Sequence, residues 1–148
     1  MSDVSRGDVH ATVEARLREA GQRYTPKRRD LVETLRRAGR PAAAPDLVVG
    51  RRGLPQSSVY RNLAVLERLG VARRVITEEG TARFELAEDL TEHHHHLVCR
   101  SCGAVEDVTI AGRLERTVAR ALDDAAAEVG FEGVSHRLDL IGTCRNCA

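Results

Sequence analysis

Apolar positions recur at helical spacing in four blocks of the first 70 residues, and then the period changes. Val9, Val13, Leu17 and Ala20 keep to one face until Gly21, which predicts a short first helix over about residues 9–20. Thr25 stands before Pro26 at a first helical position, and Leu31, Val32 and Leu35 form the stripe of a second helix over 26–38 that stops at Gly39. The proline-bounded stretch 40–45 reads as a turn. Asp46, Leu47, Val48 and Val49 then begin a short third helix limited by Gly50 and Gly53. Ser57 is the expected cap of a fourth helix whose apolar face is Val59, Leu63, Leu66 and Leu69, ended by Gly70. Its polar face carries Tyr60, Arg61, Asn62 and Arg68.

Beyond residue 72 the period shortens. Residues 73–77 and 81–86 flank Glu79 and Gly80, a pattern that predicts two strands joined by a tight turn. Helices followed by a hairpin describe a winged helix-turn-helix, which sets its last helix in the DNA major groove and its hairpin on the backbone. A plain helical domain with a hairpin is the competing reading. A polar stretch ending at residue 92 reads as a hinge, so the expected division is 1–87, a hinge over 88–92, and 93–148. In the second part, residues 95–98 and 104–110 read as strands, 112–129 as an Ala-rich helix with Leu114, Val118 and Leu122 on one face, and 134–141 as a further strand. The expected fold class is α+β: an N-terminal winged helix-turn-helix domain plus a C-terminal α/β domain.

At 148 residues the chain has room for one ordinary domain or two small ones. Hydrophobic residues at 42% and charged residues at 30% fit a globular protein. No run approaches the roughly 20 apolar residues of a membrane span, and the early acidic residues do not fit a secretion signal. A cytoplasmic location is expected, with no membrane partner. The net charge of +1 conceals an asymmetry: residues 1–87 carry 17 Lys and Arg against 11 Asp and Glu, and residues 88–148 carry 6 against 11. A basic half of +6 points to a polyanion, and an acidic half of −5 to another task. The aromatic side chains are confined to Tyr24, Tyr60, Phe84 and Phe131, so base stacking on an aromatic platform is not expected.

Four cysteines in a reducing compartment read as metal ligands or redox centres before disulfides. Cys99 and Cys102 form one Cys-x-x-Cys pair, Cys144 and Cys147 another. Two such pairs supply a tetrahedral structural zinc site, each forming a knuckle that presents both sulfurs to one ion. Gly103 suits the turn of the first. A redox pair or unligated thiols are the alternatives, but both pairs lie beside predicted strands rather than at a helix start. With all four positions taken by sulfur, such a site stabilises and does not catalyse. His93, His94, His95 and His96 follow one another; in an extended segment His93 and His95 face one way, His94 and His96 the other. One strand can then serve two metal sites, with His136, Glu115, Glu85 and Asp89 as further candidate ligands, against an incidental polar run as the bland reading. His10, alone, reads as a surface residue. No phosphate-binding loop, nucleophile elbow or acid–base carboxylate pair appears, so no catalytic residue and no small-molecule substrate are expected. A zinc hydrolase using a His/Glu site, or a metal-storage module, remains as the rival, and it leaves the basic half unexplained.

Taken together, Thr25-Pro-Lys-Arg28, Ser58-Val-Tyr-Arg-Asn-Leu63, His93-His-His-His-Leu-Val-Cys99-Arg-Ser-Cys102 and Cys144-Arg-Asn-Cys147 resemble the ferric uptake regulator family in order and spacing. The resemblance runs from about residue 23 to 147. It implies a homodimeric, metal-loaded repressor of metal-uptake genes on a palindromic double-stranded DNA operator. It also implies that the C-terminal domain carries dimerisation. Cys99, Cys102, Cys144 and Cys147 match the family's structural zinc ligands. His93, His95, Glu115 and His136 match a regulatory metal site in the dimerisation domain. Glu85, His94 and His96 match the sensing site at the hinge, with Asp89 the first candidate for its fourth ligand. Tyr60 matches a base-contacting tyrosine, and Arg61 and Arg28 match backbone-contacting arginines, with Ser57 and Ser58 opening the same helix. Pro41 stands where iron-type members usually place a histidine. For the second divalent metal, zinc is favoured over iron, in a zinc-responsive branch; iron, manganese, nickel or peroxide sensing are the alternatives within the family.

Overall fold

In the computed structural model, which describes residues 6–48, 55–78 and 80–148, the early helical periodicities become four helices. They are α1 (Arg6–Glu19), α2 (Pro26–Ala38), α3 (Ala44–Val48) and α4 (Gln56–Arg68). The Thr25 side chain accepts from the backbone N–H of Arg28 at 3.3 Å, Pro26 occupies the first turn, and Gly39 at φ 61° closes α2 in the left-handed conformation. Two expectations shift here. Pro55, not Ser57, holds the cap position of α4, because its fixed φ of −59° already leads into a helix and its carbonyl accepts from Ser58 and Val59. Similarly, α3 begins at Ala44 rather than Asp46. The helix stop expected at Gly50 and Gly53, and Glu79 of the expected turn, lie outside the described residues.

Strand β1 (Ala42–Ala43) had no periodic signal, yet it pairs antiparallel with β3 (Ala82–Leu86), which pairs in turn with β2 (Ala72–Ile76). In that hairpin Arg73 stands directly opposite Glu85. Against this sheet the helices bury one core, in which Val13 and Leu17 of α1, Val32 of α2, Leu47 of α3, and Val59, Leu63 and Leu66 of α4 surround Phe84. This is the winged helix-turn-helix the periodicity predicts. His10 departs from expectation: it is half-buried on α1, its Nδ1 2.6 Å from the Tyr24 hydroxyl and its Nε2 3.3 Å from Glu33 of α2.

After a 3₁₀ turn at Glu88–Leu90, β4 (His95–Cys99) is the centre of a second sheet. On one side it pairs antiparallel with β5 (Val105–Val108), on the other in parallel with β6 (Asp139–Gly142), the crossover being made by α5 (Gly112–Glu128). The strand expected over 134–141 is confined to β6, because β4 offers parallel partners only from His96 onward. The two halves meet where Val75 packs on Val98 and Val105, where Arg83 Nε donates to the Gly103 carbonyl at 2.9 Å, and where Arg40 pairs with Glu106 at 2.7 Å. No residue of α5 is buried, and Leu114, Leu122, Phe131, Leu140 and Ile141 are all exposed. Exposed apolar side chains in such number are characteristic of a contact surface. No described helix is long and apolar enough to cross a membrane.

Candidate metal centres and nucleic-acid interface

The first knuckle turns at Gly103, whose φ of 69° suits a residue without Cβ, and whose N–H donates to the Cys99 carbonyl at 2.9 Å. The second repeats the turn with Ala148 N donating to the Cys144 carbonyl at 3.0 Å. Parallel pairing of β4 and β6 ends at Cys99 and Gly142 and sets the knuckles face to face. All four sulfurs lie within 4.8 Å of one another, and Cys102 and Cys144 Sγ are 3.8 Å apart. A tetrahedron of Zn–S bonds of about 2.3 Å has edges of about 3.8 Å, so the set fits zinc. Backbone N–H groups of Cys144, Cys102 and Ser101 point at Cys99 and hold its thiol down at about 6, while hydrogen bonds with Cys144 and Cys102 push Cys147 up to about 12. Four crowded sulfurs cannot all ionise without a cation among them.

The alternation of the histidine run holds, and it deals the four side chains to two further clusters. His93 and His95 meet His136 and Glu115, the latter in the first turn of α5. His95 Nε2 is 2.8 Å from Glu115 Oε2, and His93 Nε2 is 2.9 Å and His136 Nε2 2.6 Å from Oε1. Hydrogen bonding to His95 holds the Glu115 carboxyl below its ordinary range, with His136 adding to it. His136 Nε2 is buried and aimed at this cluster, in close contact with Glu115 Oε1 but off the line of a regular hydrogen bond. A metal ion at the convergence would give that nitrogen a well-aligned partner.

On the opposite face His94 and His96 meet Glu85 of β3 and Asp107 of β5. His94 Nε2 lies 3.1 Å from Glu85 Oε2 and His96 Nε2 3.1 Å from Oε1, and Asp107 reaches within 3.8 and 3.9 Å of the two rings. Burial alone would raise the Glu85 carboxyl, but hydrogen bonds from His96, Arg73 and His94 outweigh it and hold it at about 2. Burial opposes charge on His96, yet its hydrogen bonds to Glu85 and Asp139 raise its pKa; burial raises that of Asp107. Asp139 Oδ1, 3.2 Å from His96 Nδ1, fixes the ring with Nε2 toward the cluster, the usual outer partner of a ligating imidazole. Two nitrogens and two carboxylates converging in this way fit a divalent cation. A cleft of about 440 Å³, lined by Glu85, His94 and Asp107 among others, opens onto them.

Asp89 does not join this cluster. It is exposed and paired with Arg16 of α1, and Asp107 holds the place expected for it. The signal for Asp107 lay in the knuckle: a turn that pairs Val98 with Val105 necessarily pairs His96 with Asp107. Arg73 is the second residue that sequence patterns did not single out. It hydrogen-bonds Glu85 and lies 3.7 Å from Glu88, which itself pairs with His93.

On α4, burial of Val59, Leu63 and Leu66 leaves Ser57, Tyr60 and Arg61 exposed, with Ser58 half-buried. Tyr60 is 47% exposed, a large side chain held out from the first turns of the helix. Arg28 is committed internally, donating to Asn62 Oδ1 at 3.0 Å, Gln22 Oε1 at 3.1 Å and the Arg23 carbonyl at 2.8 Å, and so braces α2 against α4.

A winged helix joined to clustered metal ligands is the architecture of a metal-binding transcription regulator that acts on DNA. Residues 19–141 match the ferric uptake regulator family model, and the chain belongs to that family. The chain is 29% identical over 137 residues to the peroxide operon regulator of Bacillus subtilis strain 168, covering 89% of this chain and 88% of the relative. To the ferric uptake regulation protein of Synechococcus elongatus it is 29% identical over 143 residues, covering 93% of each. The crystal structure of the Vibrio cholerae ferric uptake regulator superposes with a TM-score of 0.69 at 27% identity, over 88% of this chain and 98% of that one.

Proposed function

We propose that the protein is a metal-dependent transcriptional repressor that acts as a homodimer on palindromic operators, with zinc as its effector. The observation that carries this reading is the make-up of the hinge cluster: Glu85 comes from the winged-helix sheet, whereas His94, His96 and Asp107 come from beyond residue 92. An ion held by all four ties the DNA-binding part, 1–87, to the dimerisation part, 93–148, across residues 88–92. A ligand moves a conformational equilibrium only by its differential affinity for the two states. Ligands drawn from both parts are what give the ion that differential.

The exposed apolar side chains of α5 and β6 support the homodimer, a second copy being a self-complementary cover for them. Two recognition helices related by a two-fold axis read inverted half-sites. The four sulfurs hold a structural zinc, and their closed coordination argues against an enzyme; cysteines used as metal ligands rather than in disulfides suit the reducing cytoplasm. For the effector, two imidazoles and two carboxylates accept zinc and ferrous ion, and the affinity order sets zinc ahead. The second reading, an iron-responsive or peroxide-sensing regulator of the same family, is favoured by relatives named as a ferric uptake regulation protein and a peroxide operon regulator.

The test is fluorescence anisotropy on an AT-rich palindromic duplex with zinc, ferrous or manganous ion buffered at set free concentrations. Zinc at low free concentration should produce tight binding; binding that needs iron or manganese establishes the second reading. Failure with every metal on both operator and random duplex would sink the regulator. On the same assay Tyr60→Ala should lower the ratio of operator to random binding. Arg61→Ala should weaken both and flatten the salt dependence by about one unit of slope for the phosphate that Arg61 neutralises. Equal losses on both duplexes for the two variants would contradict these separate roles.

A further inference from the structure

Four polar side chains link the hinge cluster to the His93 cluster, and two of them belong to neither ligand set. Arg73 faces Glu85 across the β2–β3 hairpin and donates to Glu85 Oε1 through Nε. Its Nη1 is 3.7 Å from Glu88 Oε2. Glu88 pairs through its other oxygen with His93 Nδ1, and His93 Nε2 reaches Glu115 at 2.9 Å. Arg73 is 17% exposed at its side chain and Glu85 6%, so little water screens the pair.

Glu85 Oε1 already receives both Arg73 Nε and His96 Nε2. A divalent ion held by Glu85 would compete for its carboxylate and set two positive charges beside a guanidinium that cannot lose its proton. Arg73 must then give up Glu85, and the acceptor within reach is Glu88. A Glu88 carboxylate drawn to Arg73 is drawn away from His93 Nδ1, and the ring thereby loses the outer partner that fixes its Nε2 toward Glu115, His95 and His136. We propose that Arg73 is the resident counter-cation of the hinge cluster, and that its transfer from Glu85 to Glu88 couples filling of the hinge cluster to filling of the His93 cluster. The inference rests on the ligand sets proposed above.

The experiment is zinc competition against a chromophoric chelator, on the full chain with its four-cysteine site loaded. It compares wild type with Arg73→Gln, Arg73→Lys, Glu88→Gln and Glu85→Gln, each also in a Glu115→Gln background that silences the second cluster. Arg73→Gln should tighten hinge zinc by about tenfold, the scale at which outer partners alter metal affinity. It should also make that affinity the same in both backgrounds. Glu88→Gln should likewise abolish the dependence on background. Arg73→Lys, which keeps the charge but not the fork that spans two carboxylates, should keep the weaker affinity and lose the coupling. Unchanged or weakened hinge affinity in Arg73→Gln, with thermal melting intact, overturns the role. If Glu85→Gln itself binds zinc as wild type does, the ligand set is wrong and the role falls with it; if Glu85→Gln weakens zinc while Arg73→Gln does not tighten it, only the role falls.

Discussion

Glu85→Ala should leave a folded protein whose DNA affinity no longer responds to metal. Glu85 is the one ligand of its cluster that comes from the winged-helix sheet. His94, His96 and Asp107 can still hold an ion in the variant, but they hold it equally well whatever angle the winged helix adopts. An ion with equal affinity for two states shifts nothing, whereas driving an equilibrium from 1:99 to 99:1 takes a differential of about 10⁴. Zinc enhancement of operator binding, of order 10² or more in the wild type, is therefore expected to fall to near unity. Removal of the carboxylate leaves Arg73 and His96 without a shared acceptor, at a cost of about 1–3 kcal/mol. A domain stable by roughly 5–15 kcal/mol survives that loss. Anisotropy with and without buffered zinc, beside a thermal melt, makes the check; full zinc enhancement in a variant that melts normally would refute the hinge mechanism.

Cys144→Ser is expected to have the larger structural effect. Between them the two knuckles tie the end of β4 to the chain just past β6, where the parallel pairing of the two strands stops. β6 has four residues on the edge of its sheet, and α5 buries none of its side chains within the chain. A helix in a protein draws most of its stability from packing its apolar face, which α5 does not do within the chain, while structural zinc contributes on the order of 10–16 kcal/mol. The variant, or wild type stripped by a strong chelator, should lose one equivalent of zinc, the cooperative melting of residues 93–148 and the dimer. The winged helix keeps its own core around Phe84 and should retain a separate transition. Calorimetry and sedimentation velocity read the two effects, and a single unshifted transition with an intact dimer would contradict the assignment.

How much of this was legible in the sequence divides by range. Helices α1, α2 and α4 announce themselves because Val13, Leu17, Leu31, Leu35, Leu63 and Leu66 repeat along one face, and the face is a local property. The side-chain alternation of His93 to His96 is equally local, and so is the spacing of the cysteines. What the sequence concealed depends on which strand lies beside which. Ala42 and Ala43 carry no periodic signal, and they form a strand only because β3 is there to pair with. Asp107 faces His96 through hairpin register, and Arg73 faces Glu85 the same way, so neither is identified by its own neighbours in the chain. Asp89 lay nearer in sequence to the histidines than Asp107 does, yet Arg16 of α1 holds it elsewhere. His10 looked solitary because Tyr24 and Glu33, which hold it, come from the next turn and helix.

The crossover that places β6 beside β4 also sets a timetable for synthesis. Cys144 leaves the ribosome 42 residues after Cys102, which at 5–20 residues per second is roughly 2–8 s. During that interval the nascent chain displays a finished winged helix followed by half a coordination sphere, two thiols free to take a borrowed ligand, a wrong ion or an oxidant. Supply of the correct metal is thus a matter of kinetics at the ribosome exit as well as of equilibrium affinity, and the arrival of the second knuckle decides when the wait ends.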